Sequence, residues 1–131
     1  MKLIRQREEF DCGVACLAMI AGCTYEDANA VLERDKWGTP DESLIEAARR
    51  RGVSLVRRTA PLAPLLALPT AILVIYDWSP HLVVWDRPAH RLLDPADTNA
   101  RTPQEAEARW IVTGRRVIRS LELLPVEVEH G

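Results

Sequence analysis

The sequence predicts an α+β domain in which N-terminal helices pack on an antiparallel sheet. Apolar residues recur at helical spacing through the stretch that ends at Gly52. Beyond Gly52 the pattern changes to short β-branched runs punctuated by Pro, Asp and Gly, which is strand grammar. The two patterns do not alternate, so segregated layers fit better than a βαβ doubly wound sheet.

Residues 3–10 form a polar opening segment, extended or irregular. Cys12 to Ala21 is a run of Cys, Ala, Leu, Met and Ile with few polar positions, which predicts a helix buried on most sides. Asp11 suits its N-cap and Gly22 its stop. A second helix is predicted from Thr24 to Arg34, capped by Thr24, with Asp27 three residues on and Tyr25, Ala28, Val31 and Leu32 as its apolar stripe. A third opens with Thr39 as cap, Pro40 at the first helical position and Asp41 and Glu42 in the first turn. It closes in Arg49-Arg50-Arg51-Gly52, cations followed by glycine.

Strands follow at Val53–Val56, Thr70–Tyr76 and His81–Asp86. Arg87 to His90 is a turn that returns the chain as Arg91–Asp94, the hairpin partner, and Pro95 stops it. Thr102 opens a short helix to about Trp110, and Val117 to Val128 supplies a last strand or two, broken by Pro125.

The 131 residues suit one domain over positions 1–131. With 47% hydrophobic and 27% charged residues, disordered and fibrous classes are excluded. A net charge of -2 without a basic stripe speaks against a nucleic-acid partner. The longest apolar stretch, Ala60 to Tyr76, holds Pro61, Pro64 and Pro69 and is shorter than the roughly 20 residues that span a bilayer. No membrane span is expected. Met1–Arg5 lacks a signal-peptide pattern, and three cysteines crowd into the first quarter. Both point to a reducing cytoplasm with free thiols. Usage rich in Arg, Ala and Pro, with Lys only at Lys2 and Lys36, matches a GC-rich bacterial or phage genome.

Cys12 begins the buried helix, where unpaired N–H groups and the positive helix end favour thiolate, the nucleophilic form. Position alone favours a small core cysteine, since buried free cysteines are common. Cys16, one turn on, reads as core, and Cys23 has no evident role. A metal reading of the three sulfurs lacks a second ligand pair, because His81, His90 and His130 are scattered. No metal or other cofactor is expected. His81 opens an apolar strand, and Asp94 ends its hairpin partner, so the pair share one end of the hairpin. Asp94 there can fix the imidazole tautomer; as a turn residue it can equally cap the Pro95 loop. His90 and His130 read as solvated.

A Cys, then a His, then an Asp is the chain order of papain-like thiol enzymes. Gln6, Asp11-Cys12-Gly13, Ala15-Cys16-Leu17 and Met19 resemble the opening of the bacteriocin-processing cysteine peptidases, the double-glycine leader peptidases often found at the N-terminus of peptide exporters. His81-Leu82-Val83-Val84 is similar to that family's histidine strand, and Asp94-Pro95-Ala96 to its aspartate turn. The resemblance covers about residues 3–97; the tail 102–131 has no counterpart in those motifs and reads as an extension of the same domain.

The resemblance implies a papain-like fold standing as its own domain, with Cys12 as nucleophile, His81 as base and acid, Asp94 as orienter and Gln6 as an oxyanion-hole donor. It implies a peptide or protein substrate, with a small residue pair before the scissile bond, and a separate exporter as partner. The same parts would serve an isopeptidase or acyl transferase. The rival readings are a silent peptidase-like module that binds a peptide or protein partner, and a metal or redox protein using the crowded cysteines.

Overall fold

The computed structural model describes residues 1–32, 39–59, 64–76 and 80–124. Helix α1 runs Cys12–Ala21 and stops at Gly22, whose left-handed φ of 66° suits glycine. Everything in it from Gly13 to Ile20 is buried, as its composition predicts. Asp11 occupies the cap position, yet its side chain caps nothing. Its Oδ2 instead accepts the Tyr25 hydroxyl at 2.5 Å.

Helix α2 spans Tyr25–Val31 behind a Thr24 cap bonded to the Asp27 N–H. It ends three residues before the predicted Arg34, because Leu32 is already extended; Arg34 itself lies outside the described residues. Helix α3 runs Asp41–Arg50. The expected start is corrected by one residue. Pro40, with ψ of 149°, is extended and takes the cap position, so Thr39 is left outside the helix.

Among the described residues five strands follow: β1 Leu55–Thr59, β2 Ala71–Tyr76, β3 Pro80–Asp86, β4 Arg91–Leu93 and β5 Arg116–Leu123. Helix α4, Pro103–Thr113, precedes β5 and carries a full capping box between Thr102 and Glu105. It outruns the predicted end at Trp110 and stops at left-handed Gly114. The part of the predicted last strand beyond Pro125 lies outside the described residues.

The sheet is antiparallel, in the order β1-β5-β2-β3-β4. The last strand therefore sits inside it. β2, Ala-Ile-Leu-Val-Ile-Tyr, is buried on both faces, which explains its unbroken apolar run. Ile72, Val74, Leu82 and Val84 pack with α1 and α3 through Leu17 and Leu44. Leu73, Ile75, Val83 and Trp85 face the other way, toward Ala106 and Trp110 of α4. The N-terminal helices thus press on one face and deliver the start of α1 to the open end of the β3–β4 hairpin.

Candidate active site

The β3–β4 register, Val84 with Leu93 and Asp86 with Arg91, places the turn at one end of the hairpin and His81 and Asp94 at the other. His81 Nε2 donates to Asp94 Oδ1 at 2.6 Å. Cys12 lines the same cleft as His81, and its sulfur acts electrostatically on the ring. With Nε2 given to Asp94, Nδ1 is the nitrogen left to serve Cys12. Three of the four residues singled out from sequence thus converge at a single imidazole.

Burial alone would lower the His81 pKa. The Asp94 and Cys12 hydrogen bonds and charges outweigh it and raise the value to about 9. Asp94 is pushed up by burial, but the His81 bond and charge, the Ala96 N–H and the Arg115 charge bring it below its ordinary value. Its Oδ1 takes that Ala96 N–H at 2.9 Å. Cys16 is fully buried, and burial, then the charges of Cys12 and Asp94, push its thiol up. It is a core residue, as its position one turn after Cys12 suggests.

Gln6, the fourth residue, lines the same cleft as Cys12 and His81. Its backbone N–H donates to the Pro95 carbonyl at 3.0 Å, so the opening segment is tied to the aspartate turn. A second tie runs through Arg7, whose N–H donates to the Tyr25 hydroxyl at 3.3 Å and whose guanidinium lies 4.3 Å over that ring. The Gln6 amide is turned onto its own loop. Nε2 donates to the carbonyls of Glu8 and Glu9, each at 3.0 Å, and Oε1 is buried without a hydrogen-bond partner.

The cleft holds about 850 Å³. Phe10, 43% exposed, gives it an apolar wall. Its far wall is an ion cluster that local sequence reading does not reveal. Asp41, buried at the start of α3, accepts both Arg119 Nε at 2.6 Å and Nη2 at 3.1 Å. Arg57 lies 3.2 Å from the same carboxylate and pairs with Glu42. Arg115, also on the cleft, comes from the chain beyond α4. The Gly13 of the Asp-Cys-Gly motif has a steric reason. A β-carbon there would lie 2.5 Å from the Thr39 hydroxyl oxygen and 2.8 Å from the Thr39 Cβ.

A sulfur, an imidazole and a carboxylate gathered at one cleft can carry nucleophilic acyl chemistry. The first N–H groups of α1, with no side chain capping them, lie at the same place. Cys12, Cys16 and Cys23 are free thiols. Among the described residues no helix is long and apolar enough to cross a membrane.

The sequence model of the Peptidase C39 family matches residues 1–109. Solved structures similar to the chain include a double glycine motif protease from an AMS/PCAT transporter in complex with the leader peptide, at TM-score 0.69 and 17% identity, covering 95% of this chain and 91% of that one. The peptidase domain of Streptococcus ComA, a bi-functional ABC transporter of a quorum-sensing pathway, is similar at TM-score 0.65 and 20% identity, over 95% and 98%. The peptidase domain of Streptococcus mutans ComA with a small-molecule inhibitor aligns at TM-score 0.59 and 20% identity, over 95% and 100%. No curated protein sequence matches significantly. The identities are low, so these structures speak for the fold, which is papain-like. The family match covers most of the chain, and the chain belongs to the Peptidase C39 family, a family of cysteine peptidases.

Proposed function

We propose that this peptidase works by Cys-His-Asp catalysis on a peptide whose leader ends in a double-glycine-type pair. The observation that carries the reading is the single imidazole bonded to Asp94 and sharing one cleft with Cys12. The Cys12 thiolate attacks the scissile carbonyl carbon, and an S–C bond forms. The C–N bond then breaks, with the His81 proton passing to the leaving amine. Water attacks the thioester, gives a proton to His81, and displaces the sulfur; the freed acid leaves and the ion pair is restored. Asp94 holds the ring in place throughout and stabilises its cationic form.

The oxyanion is held by the N–H at the start of α1 and, after a turn of its amide, by Gln6. That turn breaks two neutral hydrogen bonds, at about 1 kcal/mol each. Support for a leader-like substrate comes from the AMS/PCAT relative, which binds a leader peptide, and a separate exporter is the matching partner. Three free thiols fit a cytoplasmic site of action. The place of β5 between β1 and β2 supports treating 102–131 as part of one domain, 1–131.

The test is cleavage of a synthetic leader peptide with Gly-Gly before the scissile bond, read by mass spectrometry. Wild type should cut after the second glycine, and Cys12→Ala should bind the peptide without cutting it. Equal binding with no cut by either protein would replace the enzyme by a peptide-binding module.

A further inference from the structure

Thr39 precedes Pro40 and was expected to cap α3, but Pro40 takes that place. The Thr39 hydroxyl is buried and has no hydrogen-bond partner. It rests on Gly13, the residue after Cys12, close enough that a β-carbon there would meet it at 2.5 Å. Thr39 also lines the cleft that Cys12 and His81 share. An orphaned hydroxyl has thus been kept beside the nucleophile, where valine, its apolar isostere, would remove the unmade bond.

Resting on the peptidase reading above, we propose that the Thr39 hydroxyl donates to the oxyanion formed on the carbonyl that Cys12 attacks. The oxyanion forms against the first turn of α1, the turn that Gly13 belongs to and that Thr39 covers. Gln6 must give up bonds to the Glu8 and Glu9 carbonyls before it can donate there. Thr39 gives up none, and one χ1 step between staggered wells re-aims its hydroxyl. Gly13 is required on this account because a larger residue would displace the donor.

The test compares Thr39→Val and Thr39→Ser in the full chain. Four readouts are used: kcat and KM on a Gly-Gly aminomethylcoumarin peptide, affinity for a Gly-Gly peptide aldehyde, iodoacetamide alkylation of Cys12, and Tm. The aldehyde adduct places an oxygen where the oxyanion forms; alkylation forms no oxyanion. Thr39→Val should lower kcat about 10²-fold with KM little changed. It should weaken the aldehyde by a similar factor, leave alkylation at the wild-type rate and hold or raise Tm. Thr39→Ser should recover kcat to within a few-fold. A Thr39→Val enzyme with kcat within about threefold of wild type, a range too small for a lost oxyanion donor, overturns the proposal. So does a parallel fall in alkylation, which would mean that Thr39 acts only by holding Cys12 in place. If wild type neither cleaves nor captures the aldehyde, the peptidase reading falls first and this one with it.

Discussion

The two sides of the cleft differ in how fully their polar atoms are bonded. On the sheet side, Asp94 Oδ1 receives both His81 and the Ala96 N–H, so the ring is held on Asp94. On the side of the loops, Gln6 Oε1 and the Thr39 hydroxyl are buried with nothing to bond. An unmade buried hydrogen bond costs about 1–3 kcal/mol, so each orphan is a standing expense. The contrast separates two tasks. On the proposed mechanism, proton transfer is assembled before substrate arrives, whereas the groups nearest the reacting carbonyl stay incomplete until it does.

The largest effect expected is on the bonded side. Cys12→Ala and His81→Ala should each lower kcat on the order of 10⁶-fold, and the double variant should be no worse, because the two act as a unit. Kinetics of the three proteins on the Gly-Gly peptide check this; additive losses would dissolve the unit.

Asp94→Asn should lower kcat by roughly 10²-fold, the low end of what general acid–base catalysis supplies. It should also move the alkaline limb of kcat/KM. In wild type His81 titrates at about 9, so activity should fall as pH rises through that value and the leaving amine loses its acid. Without the Asp94 charge the limb should shift downward. Stability follows the same sign. A raised pKa contributes fully below the unfolded value of about 6.5 and is lost as pH rises through the folded one. The Tm of wild type should drop from pH 6.5 to beyond 9 more than that of Asp94→Asn.

Gly13→Ala probes the unbonded side by steric means. The new methyl would meet the Thr39 hydroxyl and Cβ, so Thr39 must move. Destabilisation of about 1–3 kcal/mol is expected from the overpacking, read by urea unfolding, and Thr39→Ala in the same chain should partly relieve it; the accompanying fall in kcat should persist in that double variant, because the hydroxyl is then gone. The smallest effect falls to Gln6→Ala. An oxyanion donor is worth about 2.7–4 kcal/mol, and the two bonds it must first break return about 2. A roughly tenfold loss of kcat remains by that arithmetic. A loss near 10³ would mean that Gln6, not Thr39, is the principal donor.

Much of this was legible in the sequence because it is local. The composition of Cys12–Ala21 announced a buried helix, and the Gly22 stop and the Thr24 cap stand where the residues put them. The His81–Asp94 pairing was legible because a hairpin turn fixes its own register. What escaped is long-range or steric. Asp41 and Arg119 meet across 78 positions, and no local pattern couples them. β5 read as a terminal strand, but strand order depends on which edges are open, not on order in the chain. Thr39 carries the residue type of a cap, and only the backbone of Pro40 reveals that it caps nothing. Gln6 was legible by its motif, whereas the aim of its amide was not.

A ribosome releases this chain N-terminus first, and the interior place of β5 gives that order a meaning. Cys12, His81 and Asp94 have all been made when Arg116 has yet to appear. At that moment β1 has no neighbour and β2 has one bare edge, since both await the same strand. Arg119, which anchors Asp41 on the wall of the cleft, arrives on that strand too. The nascent chain therefore carries Cys12 beside an unfinished sheet until β5 inserts. Protein synthesis at about 5–20 residues per second makes the interval a few seconds long. The central sheet, and with it the wall of the cleft, is then closed only by the insertion of β5.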